Sequence, residues 1–479
     1  MWFTKRRRSS HRTHRNFGRK LCAERLEDRT VLSATFGSAL SIGNGLDSST
    51  TFDVGADSAG NSYIAGMYAG TVDFDLSAVH AGDADIRTAQ GAGDAYIAKY
   101  APDDSLVWVR SLGGSSDLAE VGRKIAIDAS GFVYVAGEFA VSADFGATTL
   151  SSLGANDGFV AKLDSAGNVQ WAKRWGTSGN DSAQGLDVDR AGNVYALGHR
   201  LGDAYDILKF NSAGAAVWSK TIVDRSMMTT ADLAVNASGS VFVAGSFDGT
   251  TDFDPGPKTK YVSSGAGLAG FVLELDTNGK FGWVSPFIGK RVGSTNGASA
   301  AMSATVDGSG SVIVGGWFNG TVDFNPSGGT TYLSTNSGGF ITKLSSSGGL
   351  IWAKALQNSS TTFVRGLDVD AAGNIYATGN FHGTVDLDPG AGTYFRTSAG
   401  QGDIFVLKLT ATGNLAWTET FGGTGNDVSF GIAVDPAGIV HLAGYYRDPF
   451  DFDPDPFATF GLPGDSIISR GFRLRLRQA

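Results

Sequence analysis

A phrase of roughly sixty residues is written seven times along this 479-residue chain, and no other feature restricts the fold as tightly. Its first half reads D-x-x-G-x-x-Y/F-x-x-G and begins at Asp57, Asp128, Asp189, Asn236, Asp307, Asp370 and Asp435. Its second half is an aromatic-x-x-Lys-apolar phrase. That phrase ends in Lys99-Tyr100, Lys162-Leu163, Lys209-Phe210, Glu274-Leu275, Lys343-Leu344, Lys408-Leu409 and Arg475-Leu476. Such a repeat is one supersecondary unit that cannot bury its own apolar faces, so neighbouring copies must cover them.

Within each copy, short runs of β-favouring residues flank Gly/Asn turns. G-L-D-V-D near Gln184 turns through Arg190-Ala191-Gly192-Asn193 and returns as V-Y-A-L-G. G-F-V-A-K-L from Gly158 turns through Asp164 to Asn168 and returns as V-Q-W-A-K-R-W. Two hairpins make a four-stranded antiparallel sheet. The strands are apolar on both sides, as in I-A-I-D from Ile125, which requires cover on both sheet faces. The 68 glycines lack a collagen period and suit many tight turns. A tryptophan recurs in the fourth strand at Trp108, Trp171, Trp218, Trp283, Trp352 and Trp417, one short of the repeat count.

The predicted fold is therefore all-β: a seven-bladed β-propeller with four antiparallel strands per blade, spanning residues 34–479. The seventh copy stops within three residues of Leu476, before a fourth strand of its own. Residues 34–45 resemble the missing strand and are expected to close the ring by joining the C-terminal blade, with Phe36 in the tryptophan slot.

Residues 1–33 are read as a basic leader, disordered or removed. Ten of the 38 Lys and Arg fall in the first 29 residues, leaving 28 basic and 44 acidic residues, a net charge of −16, for the rest. Such a body repels nucleic acid. No stretch reaches the about 20 apolar residues of a membrane-spanning helix, so no transmembrane segment is expected. Cys22, the only cysteine, lies in the leader, so the body contains no disulfide. Leu26, Glu27, Arg29, Leu32 and Ser33 resemble the LEPR-type N-terminal signature of bacterial surface and secreted proteins. Asp28 and Val31 depart from its usual proline and leucine. The resemblance implies an extracellular or cell-surface location.

The repeat itself resembles the SBBP family, seven-bladed β-propeller repeats of bacterial extracellular proteins, from residue 34 to the end. D-A-A-G-N-I-Y-A-T-G from Asp370, G-D-I-F-V-L-K-L from Gly402, A-T-G-N-L-A-W from Ala411 and F-G-G-T-G-N-D from Phe421 carry the match. The family describes a shape and implies no activity.

Function is sought where the repeat is loosest. The long second-to-third loops and the fourth-to-first crossovers of a propeller emerge on one face, which is where a ligand site is expected. The loops carry T-V-D-F-D phrases, with carboxylate pairs at Asp73/Asp75, Asp252/Asp254, Asp386/Asp388 and Asp451/Asp453. Their oxygens suit a hard cation such as calcium; alternatively, each aspartate caps a turn or pairs with a strand lysine. No other cofactor is implied. The ring of strand cations from Lys99 to Arg475 reads as structural pairing rather than an anion site. The histidines His80, His199, His382 and His441 lack metal-ligand spacing, and neither a G-x-S-x-G elbow nor a phosphate loop occurs. The expected role is a non-enzymatic, monomeric interaction or scaffold module for a protein or polysaccharide. The alternative is a polysaccharide-acting glycosidase or lyase using loop carboxylates. The fourth repeat departs most, with Glu274 for lysine and a long crossover holding Lys290 and Arg291; the third has Met227-Met228 in its crossover.

Overall fold

The computed structural model describes residues 34–478, apart from segments 44–46, 76–84, 201–203, 224–230, 326–328, 454–458 and 465–467 and positions 266, 358 and 463. Every regular element among the described residues is a β-strand, and no helix is long and apolar enough to cross a membrane. Met227, Met228 and His80 lie outside the described residues, as does the leader.

Each repeat supplies an antiparallel sheet in simple up-and-down order. The first comprises Ser49–Ala56, Ser62–Tyr68, Asp94–Tyr100 and Leu106–Leu112. Equivalent four-stranded sheets are built from 121–175, 181–223 and 361–421. The fourth and fifth repeats merge into one nine-stranded sheet. The cause is the long crossover of the fourth repeat: Phe281–Val292 continues past its own sheet, so that Ile288, Gly289 and Lys290 pair with Asp323, Val322 and Thr321 of the next.

The D-x-x-G turns show why their sequence repeats. Asp57 Oδ1 accepts the N–H groups of Ala59 (2.9 Å) and Asn61 (3.0 Å), while Oδ2 accepts Asn61 Nδ2 (2.7 Å) and the Tyr63 hydroxyl (2.9 Å). Burial alone would raise this carboxyl, but those hydrogen bonds hold it below the usual aspartate range. Asp189 and Asp370 repeat the arrangement. The strand lysines divide. Lys99, Lys343 and Lys408 lie 3.9, 2.7 and 3.9 Å from Asp57, Asp307 and Asp370. Lys162 and Lys209 instead donate to the carbonyls of Ser212 (3.3 Å) and Thr277 (3.0 Å) in the following sheet.

Sheets are joined by tryptophan. Trp108 Nε1 donates to Ser165 O (3.0 Å) in the third-to-fourth turn of the next sheet. Trp171, Trp218, Trp283 and Trp352 do the same to Ser212, Thr277, Ser346 and Ala411. The indoles lie on Gly167, Gly214, Gly279, Gly348 and Gly413, all with φ between +73° and +84°. A Cβ at Gly348 would stand 2.7 Å from the Trp283 ring, so both φ and space demand glycine there.

Ala34–Ile42 pairs antiparallel with Arg470–Gln478 and completes the sheet of Val428–Val434 and Val440–Tyr446, as expected from sequence. The expected place of Phe36 is corrected. Phe36 faces Leu476, and Ser38 faces Arg475 as Trp417 faces Lys408, so Ser38 occupies the tryptophan slot. The register breaks between Phe36 and Ser38, and alignment by sequence alone missed that offset. The small serine leaves room for arginines. Arg475 Nη1 lies 3.1 Å from Asp104 Oδ1 and also donates to Pro102 O. Fully buried Arg473 pairs with the same carboxylate and donates to Ser62 Oγ at 2.8 Å. Asp104, at φ +71°, holds the position that glycine takes in the turns met by tryptophan.

Candidate functional site: the cavity at the first strands

The first strand of each sheet is an edge, and these edges line a shared cavity of about 320 Å³. An edge strand leaves N–H groups unpaired, and aspartates here supply the acceptors. Asp53 Oδ2 accepts the Ile125 N–H (3.0 Å), Asp187 that of Val235 (2.7 Å), Asp232 that of Ala304 (3.2 Å) and Asp368 that of Val434 (2.7 Å). Each carboxylate thereby ties one first strand to the next. Burial raises Asp53 to about 6, Asp187 to about 7 and Asp368 to about 6, and raises Asp232 as well.

Toward the ends where these strands begin, the space widens into a cavity of about 520 Å³. Its wall follows from a local irregularity that recurs. The pairing of first with second strand shifts register at Phe52, Arg123, Gln184, Met302, Arg365 and Phe430. A bulge leaves one residue outside the alternation and re-aims its side chain, and all six of these residues line the cavity. Ala231, just before Asp232–Val235, stands there too. Turn and core positions repeat along the chain, whereas this position reads Phe, Arg, Gln, Ala, Met, Arg, Phe. An otherwise regular set of sheets thus lines this cavity with chemically unlike side chains.

Four of these side chains form an arc. The Arg123 guanidinium lies 5.5 Å from the Phe52 ring, Phe52 lies 5.5 Å from Phe430, and Phe430 lies 5.5 Å from the Arg365 guanidinium. Glu138 binds Arg123 in bidentate fashion at 2.6 and 2.5 Å, and Asp232 lies 3.1 Å from Lys124. Arg365 donates from Nε to Asn380 Oδ1 (2.8 Å), and burial lowers it to about 10.

The loop aspartates considered for calcium are placed differently. The Oδ1 of Asp252, Asp386 and Asp451 accepts the N–H of Asp254, Asp388 and Asp453, and also those of Lys260, Tyr394 and Phe460. Asp73 accepts the N–H of Asp75. Asp254 and Asp388 accept from Gly256 and Gly390. Asp252, Asp386 and Asp451 therefore each close their own loop. Among the described residues, no three His, Cys, Asp or Glu side chains gather as a metal site. The crossover aspartates Asp181 and Asp427 likewise accept the N–H groups of Thr177 and Gly423.

Sequence reasoning missed the bulge residues. Their signal was the variable position five residues ahead of each turn aspartate, flanked by repeated ones.

No family model matches the chain. An uncharacterized WD repeat-containing protein of Acanthamoeba polyphaga mimivirus is 21% identical over 462 residues, covering 77% of this chain. The chain spans 33% of that relative's length. Among solved structures, the Pan2 WD40 domain of Neurospora crassa has a TM-score of 0.35 at 10% identity, covering 74% of this chain and 88% of its own. A protein of unknown function from Dyadobacter fermentans has a TM-score of 0.39 at 12% identity, covering 93% and 100%.

Proposed function

We propose that the chain is a non-enzymatic interaction module of the cell surface or extracellular space. In this reading it is a monomeric seven-bladed β-propeller of SBBP type, its ring closed where Ala34–Ile42 joins the last sheet. It binds a polysaccharide or protein on the face where crossovers enter the first strands, with the larger cavity as the centre of the site. One observation carries the reading: six bulges turn six side chains that keep to no repeat consensus into a single cavity. Structural repetition explains the rest of the chain but not this variation. The basic leader and its LEPR-type resemblance support export, and a reporter carrying residues 1–33 should reach the envelope.

The test is binding of the purified full chain to an array of polysaccharides and envelope proteins. A Phe430→Ala variant that stays folded should lose the ligand found. Unchanged binding in that variant would remove the cavity from the account.

A further inference from the structure

Resting on that reading, we infer that the cavity takes a carboxylated sugar, such as a uronate unit of an acidic polysaccharide, with Arg365 as the group that receives the carboxylate. Charge singles out this residue. Three cations stand in the wall; Glu138 holds Arg123, and Asp232 holds Lys124. Arg365 has no carboxylate within ion-pair distance among the described residues, and its one hydrogen bond, to Asn380, uses Nε. Arg365 itself borders the cavity. A sequestered cation without a counterion is unfavourable, and a guanidinium fork matches a carboxylate in two parallel hydrogen bonds.

The surroundings select the rest of the ligand. Phe363 and Phe430 hold the guanidinium at 4.8 and 5.5 Å, which fixes its plane. Phe430 and Phe52 border the cavity beside it and provide aromatic surface for the C–H face of a sugar ring. Gln184, Asn156 and Asn180 border the same space with neutral amides that can serve hydroxyls. A volume of about 520 Å³ suits a small ligand rather than a folded partner. Glu138 and Asp181 share the wall, which disfavours a doubly charged phosphate relative to a single carboxylate.

The experiment titrates the full chain by calorimetry with methyl glucuronide, methyl glucoside and a short acidic peptide. The uronide should bind at least about tenfold more tightly than the glucoside, as expected when a charge-assisted pair is made. Arg365→Gln should bring the uronide-to-glucoside ratio to about one, and Arg365→Lys should retain part of the preference. Equal affinity for the two sugars overturns the inference without needing any variant. If both sugars bind equally and Phe430→Ala abolishes both, the carboxylate assignment falls while the cavity reading stands. If neither binds the wild type, the sugar assignment falls. Tighter binding of the peptide replaces the sugar with a protein ligand and also overturns the inference.

Discussion

Arg475 meets Asp104 at 3.1 Å, across the boundary between the sheet that holds residues 34–42 and the sheet that begins at Ser49. Five other boundaries are made by a tryptophan on a glycine turn. The two solutions are alternatives, because an indole leaves no room for a Cβ, whereas an aspartate in the turn needs a cation above it. Asp104→Asn leaves Arg473 and Arg475 with a weakened partner in a buried joint, and should cost about 3 kcal/mol. Urea unfolding checks this; a loss below about 0.5 kcal/mol would mean that the joint does not bear on stability.

Gly348→Ala tests the tryptophan boundary. The left-handed backbone alone costs about 1–2 kcal/mol, and the new Cβ meets the Trp283 ring. Trp283→Phe, which removes the indole donor to Ser346, should cost about 1 kcal/mol through that hydrogen bond. The double variant should cost less than the sum, since the ring that collides with the added methyl is smaller. Additive losses would show that the two residues do not meet.

The first-strand aspartates give stability a pH dependence. Asp53, Asp187 and Asp368 have folded-state values of about 6 to 7, raised by burial above the unfolded value. A carboxyl that holds its proton more tightly when folded contributes stability below its unfolded pKa. That contribution is lost as pH rises through the folded value. His199 and His441, lowered by burial, act oppositely below their ordinary value. The comparison is therefore between wild type and Asp187→Asn/Asp368→Asn. Wild type should lose more melting temperature between pH 5.5 and 8 than the variant does. Parallel curves would contradict the assignment.

Much of the fold was legible in the sequence because turn chemistry is local. An aspartate, a glycine at positive φ and a following apolar run are specified within a few residues, and repetition confirmed each one. The pairing of residues 34–42 with the last sheet was legible for the same reason. The slot of Phe36 was not, since a register shift depends on the partner strand. The bulges at Phe52 and Arg365 were hidden likewise: a bulge is a relation between two strands, and nothing in either strand alone announces it. The loop aspartates were conspicuous because they repeat, and Asp252, Asp386 and Asp451 share one local task, closing a loop.

Asp386→Ala removes the acceptor of two backbone N–H groups. The loss should be about 1–2 kcal/mol, equal with and without calcium. A calcium-dependent rise in the wild-type melting temperature that this variant lacks would instead assign these loops a cation.

Hydrogen exchange of residues 34–42 in the full chain tests the central arrangement most directly. Because Ala34–Ile42 is an edge strand, pairing with Arg470–Gln478 predicts that alternate amides within 38–42, those turned toward that strand, are protected far above the rate of a free peptide. Free-peptide exchange throughout 34–42 would contradict the joined sheet.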